Sequence, residues 1–300
     1  MKKILFLSLL FVLAIQVNAQ NLDDAQNLLK QSTRSIEFIE NKGQVADQNG
    51  NVNFDVLFIA EVPYGTVVIR KDGISCSFVK RDENVLNKNK FNSVLLSNTS
   101  NQFERFDEKI EPIPTEIYRV DMRLKGSNKN PQIEALEKIE DYNNYYLAHC
   151  PEGITNVRKY KTIKLKDVYP NIDFVIYANS DGNVQYDFVI KPGGNPKQIN
   201  FRYEGASYIK IATDGSLICE TPFGKIEQKA PVAYQLYSLG AYTNSRNFQS
   251  KRNSLPLPTS QFKINKDQSI SFLVSNYNPQ IPLIIDPPTR LWGTDRKSVV

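Results

Sequence analysis

The sequence predicts a mainly β, antiparallel, sandwich-like fold, and three observations carry the prediction. Aromatic residues make up 11% of the chain, with 15 Tyr and 16 Phe, and both types favour strands. From Ile36 onward, apolar and polar residues alternate over most segments, the pattern of a sheet with one buried and one wet face. Four of those segments double back at a short polar turn containing Asp, the chemistry of a tight hairpin. A chain of 300 residues that is 41% apolar can bury a core of this size, which excludes wholesale disorder. A variant of the same class has two packed β subdomains with a boundary at residues 126–144.

In chain order, residues 1–19 read as a secretory signal peptide. Lys2 and Lys3 form its basic start, Ile4–Ile15 its apolar run, and Val17-Asn18-Ala19 its small-x-small cleavage site. The apolar run is about 12 residues, too short to cross about 30 Å of hydrocarbon as a helix. The expectation is an exported protein, secreted or at the cell surface, with no transmembrane segment in the mature chain. Residues 20–35 are a lead-in segment, a short helix or a frayed end. The four hairpins follow. Thr66–Val79 turns at Lys71-Asp72-Gly73, and Phe174–Ile190 at Ser180-Asp181-Gly182-Asn183. Tyr208–Glu220 turns at Thr213-Asp214-Gly215, and Phe262–Val274 at Lys266-Asp267-Gln268. Asn87–Asn101 and Ser238–Ser260 read as exposed loop and long excursion. In Gln132–Asn143 the apolar Ile133, Leu136 and Ile139 recur every third residue, a poor helix period, so this segment is predicted to be extended. In the basic run Arg158–Lys166, Lys164 and Lys166 share one strand face while Ile163 and Leu165 share the other.

The chemistry is sparse. Net charge is +5, from 37 basic and 32 acidic residues. Loss of Lys2 and Lys3 with the signal peptide leaves 35 against 32, or +3, a weak field for nucleic-acid binding. A single His leaves no set of imidazoles for a His cage and argues against a conventional His relay. Cys76, Cys150 and Cys219 match no zinc spacing and allow at most one internal pair; Cys76 and Cys219 read as small buried hydrophobes. Adjacent His149 and Cys150 point to opposite faces of a strand, so they do not form a catalytic pair. The Asp-Gly turns lack the recurring carboxylates of a calcium loop, and turn chemistry accounts for them. No Gly-rich phosphate loop, nucleophile elbow or His-Glu-x-x-His is present. No cofactor or metal is expected. A hydrolase reading survives only through paired carboxylates, if Asp167, Asp173 or Asp187 faces another across a cleft at about 5–10 Å.

Six motifs occur in one order along the chain. Phe38-Ile39-Glu40-Asn41-Lys42-Gly43-Gln44 resembles an "EN-x-GQ" opening, and Asn144-Tyr145-Tyr146-Leu147 an "NYF" segment. Leu165-Lys166-Asp167-Val168-Tyr169-Pro170-Asn171-Ile172-Asp173 resembles a "DVYPGID" signature, with Asn171 in place of the usual Gly. Tyr186-Asp187-Phe188-Val189-Ile190 with Pro192-Gly193 is similar to "YDFVV-x-PG". The stretch Glu227–Gln235, with Pro231, Tyr234 and Gln235, is similar to "P-x-x-YQ", and Leu283–Pro287, with Asp286 and Pro287, to a closing "L-x-IDP". Together they resemble the N-terminal domain of large exported proteins of Bacteroidota-like bacteria, a domain of unknown function. Those proteins carry seven-bladed β-propeller-type repeats and often a gliding-motility or type IX secretion sorting domain. The resemblance covers residues 36–287 and implies an exported β module whose motif residues are structural; it supplies no catalytic residues.

Residues 288–294 resemble the start of a first propeller-type repeat, through Arg290-Leu291-Trp292-Gly293-Thr294. Residues 295–300, Asp-Arg-Lys-Ser-Val-Val, match the translation of a common sequencing adapter. The chain is therefore expected to be a fragment whose natural sequence departs after Thr294. The functional expectation is a non-catalytic structural or interaction module of a large secreted or surface protein. Its partners would be the downstream repeats, and surface polysaccharide or other surface proteins. A carbohydrate- or polymer-binding module is the alternative, with exposed tyrosines such as Tyr145 and Tyr146 as a platform.

Overall fold

The structure, a computed structural model, describes residues 36–291 apart from 48, 63–64, 82–114, 180–181 and 236–257. The signal-peptide and lead-in segments (1–35), the loop at 87–101, most of the excursion at 238–260 and residues 292–300 lie outside the described residues. The strands run in order β1 (Phe38–Glu40), β2 (Val56–Val62), β3 (Gly65–Arg70), β4 (Gly73–Arg81), β5 (Thr115–Leu124) and β6 (Gln132–Leu147). They continue with β7 (Cys150–Tyr169), β8 (Ile172–Ala178), β9 (Val184–Ile190), β10 (Asn200–Glu204), β11 (Tyr208–Ile211) and β12 (Leu217–Thr221). The last are β13 (Gly224–Gln228), β14 (Val232–Gln235), β15 (Thr259–Ile264), β16 (Ile270–Ser275), β17 (Leu283–Asp286) and β18 (Thr289–Leu291). One 3-10 turn spans Pro196–Gln198; no α-helix occurs among the described residues, and none there could cross a membrane.

All four turn-centred segments form antiparallel hairpins: β3–β4, β8–β9, β11–β12 and β15–β16. The turn at Gly215 shows why. Its φ of +81° lies in the left-handed region that glycine enters freely, and Asp214 accepts hydrogen bonds from Ser216 N and Oγ. In the β15–β16 turn the matching place is held by Gln268 at φ +62°, while Asp267 Oδ1 accepts from Ser269 N and Oγ. β6 is extended, and register shifts from Lys138 to Leu147 interrupt its pairing with β7, so its apolar residues do not keep strict alternation. In β7, Ile163 and Leu165 are fully buried, while Lys164 and Lys166 both reach Glu134, at 3.3 and 3.1 Å.

Every strand pairing among the described residues is antiparallel. The large sheet has fourteen strands in the order β14-β17-β9-β8-β7-β1-β2-β3-β4-β5-β10-β16-β15, with β6 paired to β7 beside this path. Its outermost strands β14 and β15 touch without pairing, so the sheet is nearly closed on itself. The small sheet, β11-β12-β13-β18, lies against it where β18 meets β9 and β11 meets β15. One buried cluster draws on both: Phe174, Phe188, Phe201 and Phe272 from the large sheet, with Leu217, Cys219 and Ile226 from the small. Its rings meet in tilted and edge-on pairs, Phe174–Phe188 at 4.9 Å and Phe188–Phe272 at 5.8 Å. The opposite face of β8, β9 and β17 is also buried, around Val175, Val189 and Ile284. All three cysteines are free thiols. Burial pushes the Cys76 thiol up to about 12 and raises Cys219 further, so both act as unreactive core residues.

Candidate functional site

The motif residues gather at two corners of the large sheet and in one charged face. At the first corner, Asn41 uses its whole side chain on backbone. Its Nδ2 donates to Asn53 O and Val56 O, both at 2.8 Å, and its Oδ1 accepts from Gly43 N and Val45 N. Gln44 closes the same loop, donating to Glu40 O at 2.6 Å and accepting from Lys42 N. The Glu40 carboxylate caps Arg158 N at 2.8 Å, which ties the loop to β7. His149, next to Cys150, places Nε2 3.2 Å from Gly43 O, so the imidazole joins this corner. Asn144 accepts from Asn156 N, and Tyr145 accepts from Asn143 Nδ2, both within the β6–β7 hairpin.

The second corner is the Asp167–Asp173 segment. Asn171 sits at φ +58°, the left-handed position for which the resembled motif uses Gly. Val168 and Tyr169 are buried. The Tyr169 hydroxyl lies 2.7 Å from Asn200 O and 3.0 Å from Lys125 O, where its proton is donated, and accepts from Asn200 N. Burial pushes that phenol up to about 12. Asp173 is 3% exposed; its Oδ1 accepts from Asp167 N at 2.9 Å and from Lys191 Nζ at 2.9 Å. Lys191 also reaches Asp167 at 2.7 Å, and Lys164 stands 3.7 Å from Asp173 Oδ2. The structure thus brings Asp167 and Asp173 together, with a shared ammonium between them. Pro170 forms the turn, and Gly193, after Pro192, donates to Pro279 O.

The third grouping gives Asp187 a facing carboxylate that the sequence did not name. β9 and β17 pair with Ile285 opposite Phe188; continuing that register by one residue sets Asp286 opposite Asp187. Opposed residues in such a pair have Cβ atoms about 4.5–5.5 Å apart. Asp187 is 4% exposed and accepts from Tyr177 OH at 3.2 Å. Burial raises the Asp286 carboxyl to about 6. The phenols of Tyr177 and Tyr234 are raised strongly, first by burial and then by both carboxylates. Gln235 holds the adjacent turn by donating to Asn278 O and Ile281 O. Pro231 is buried at the start of β14, and Pro287 O accepts from Thr289 Oγ1. The sequence separation of Asp187 and Asp286 hid this pair; each alone reads as one acidic residue in a largely apolar strand. Among the described residues no group of three or more His, Cys, Asp or Glu side chains is placed to hold a metal.

A cavity of about 20 Å³ is lined by Cys76, Met122, Tyr186, Tyr203 and Gln228, the size of a single water. A surface groove of about 620 Å³ lies on the outer face of the β15–β16 hairpin. That volume falls within the range of ligand sites. Thr259, Gln261 and Lys263 alternate along β15 toward it, opposite Ser275, Leu273 and Ser271 of β16. Lys197 and Asn200 close its far side. Lys125 holds Asp267, the carboxylate at its rim, at 2.5 Å, which keeps that acid below its usual range. Tyr169 fixes the backbone of Asn200, so the second corner buttresses the groove. The groove residues went unnoticed because a wet strand face and a ligand-binding face share one alternating pattern. Tyr146, by contrast, is exposed on the β6–β7 hairpin, remote in sequence from the groove, and packs on Gly153.

The family model for a domain of unknown function (DUF7948) matches residues 38–288, from the first residue of β1 to just past Asp286-Pro287. No curated protein and no solved structure matches the chain.

Proposed function

The chain belongs to the DUF7948 family of domains of unknown function, and from that premise we propose that it is a non-catalytic structural and interaction module of a larger exported protein. The observation that carries this reading is the use made of the motif side chains. Asn41, Gln44, Tyr169 and Asp173 direct their polar atoms at backbone or at lysines within the fold. Catalytic groups keep an atom for the substrate; these hold corners. The resemblance and the signal-peptide reading of residues 1–19 extend the proposal: export in a Bacteroidota-like bacterium, propeller-type repeats downstream and a type IX sorting domain beyond them. Resequencing the native locus through the codon for Thr294 tests it. The expected frame runs on into repeats, and a genomic stop directly after Val300 contradicts the larger protein.

A second reading, carbohydrate or polymer binding, is favoured by the groove on β15–β16, with its hydroxyl and amide lining. Screening the purified chain against a broad glycan panel tests it, with no retained glycan as the negative outcome.

A further inference from the structure

The geometry points to the β15–β16 groove as a binding site for an acidic polysaccharide, a hydroxyl-rich chain bearing carboxylate or sulfate groups. This inference rests on the polymer-binding reading and adds the charge class of the ligand and the residues that select it.

Charge is the first argument. Lys197 and Lys263 line the groove, and Arg202 lies beside it, one register step from Asn200 on the same face of β10. None of these three cations has a carboxylate within ion-pair distance among the described residues. Most other cations of the sheet faces do: Arg119 and Arg123 hold Asp121, and Arg123 also holds Asp72. Arg202 makes a long contact to Asp267 O, at 3.4 Å, and its Nε is shielded without a hydrogen-bond partner. The one carboxylate lining the groove, Asp267, is already neutralised by Lys125. The groove is therefore a local positive field on a chain whose overall charge is modest.

The lining supplies the second argument. Thr259 bonds Ser275 at 2.6 Å and Asn265 bonds Ser271 at 3.3 Å, and with Gln261 these groups keep further donors and acceptors that match the two-way hydrogen bonding of sugar hydroxyls. Leu273, 51% exposed, gives an apolar contact in their midst. Asn200 Oδ1 is shielded and unpartnered at the edge. Shape is the third. The six residues of β15 extend about 20 Å, at about 3.3 Å each, which suits an elongated polymer. The groove's one aromatic, Phe272, has its ring buried against Phe262 and Phe201. Single-stranded nucleic acids and neutral glycans rely on exposed rings for stacking, so neither fits as well.

Affinity electrophoresis of the purified chain through gels containing polygalacturonate, dextran sulfate or neutral dextran tests the inference. The first two polymers separate carboxylate from sulfate as the recognised group. The expected result is retardation by at least one acidic polymer, weakened by raising salt from 50 to 500 mM. The double variant Lys197→Gln/Lys263→Gln should bind roughly tenfold more weakly, and Lys197→Arg/Lys263→Arg should retain binding. Lys210→Gln, on the small sheet, should change nothing. Thermal melts of each variant verify the fold, since both lysines are exposed. Retardation by neutral dextran alone, or binding insensitive to the double substitution, overturns the inference while leaving polymer binding in place. Retardation by none of the three overturns it together with that reading. Equal affinity for a single-stranded oligonucleotide overturns it in favour of unselective polyanion binding.

Discussion

Single side chains set the two corners, and the buried hydroxyl of Tyr169 is the clearest of them. Tyr169→Phe keeps the ring but takes the hydroxyl donor from Lys125 O, while Asn200 O keeps its bond from Lys125 N. A lost buried hydrogen bond with unsatisfied partners costs about 1–3 kcal/mol, so the variant should melt measurably lower. An unchanged melting temperature would show that the hydroxyl is not a support. Asn171 makes the complementary case, because its constraint is conformational. At φ +58° a β-branched residue is strained, whereas glycine is at ease. Asn171→Ile should destabilise by about 1–2 kcal/mol, and Asn171→Gly should stay within about 0.5 kcal/mol of the parent by urea titration. That Tyr169 and Asp173 would hydrogen-bond to backbone was legible in sequence from Pro170-Asn171 between two aspartates. The lysine bridging Asp167 and Asp173 was not, because Lys191 arrives from the far end of the next hairpin.

At the scale of elements, hairpins announce themselves and distant pairings do not. Asp72-Gly73 and Asp214-Gly215 carry their turn geometry within a few residues, so β3–β4 and β11–β12 could be read directly. The β15–β16 hairpin was readable despite lacking glycine, since Asp267 still caps its turn. Gln268 bears the strain there. Gln268→Gly should stabilise by about 0.5–1 kcal/mol, the left-handed cost of a Cβ less the extra freedom glycine gives the unfolded chain. For a domain of this size that is a rise of about 1–4 °C in melting temperature. A fall would mean that the Gln268 side chain contributes contacts outweighing its backbone. The carboxylate pair Asp187–Asp286 and the Lys197 wall of the groove escaped the sequence for one reason. Each joins segments about 60 or more residues apart, and alternation says which face a residue takes but not which strand lies beside it.

For the molecule as a whole, the buried carboxylate of Asp286 links stability to pH. Burial lifts it from 3.8 to about 6, so the folded state holds its proton more tightly than the unfolded chain. Stability contributed by the protonated group is present below about pH 4, lost between about pH 4 and 6, and absent above. Asp187, Tyr177 and Tyr234 surround it, and none of these supplies a positive charge. Asp286→Asn should match the parent near pH 4 and exceed it in urea midpoint by pH 7, whereas a constant gap across that range would refute the linkage. The topology has a kinetic consequence too. β1, only three residues long, lies between β2 and β7, with Phe38 opposite Tyr160. During synthesis the N-terminal strands therefore wait for residues more than a hundred positions later before the large sheet can form through its centre. Assembly ruled by such remote contacts is slow, on the order of milliseconds to seconds or longer. Throughout that interval the Cys76 thiol, later sealed in the core, is open to oxidation, so the pace of chain collapse decides whether it arrives there reduced.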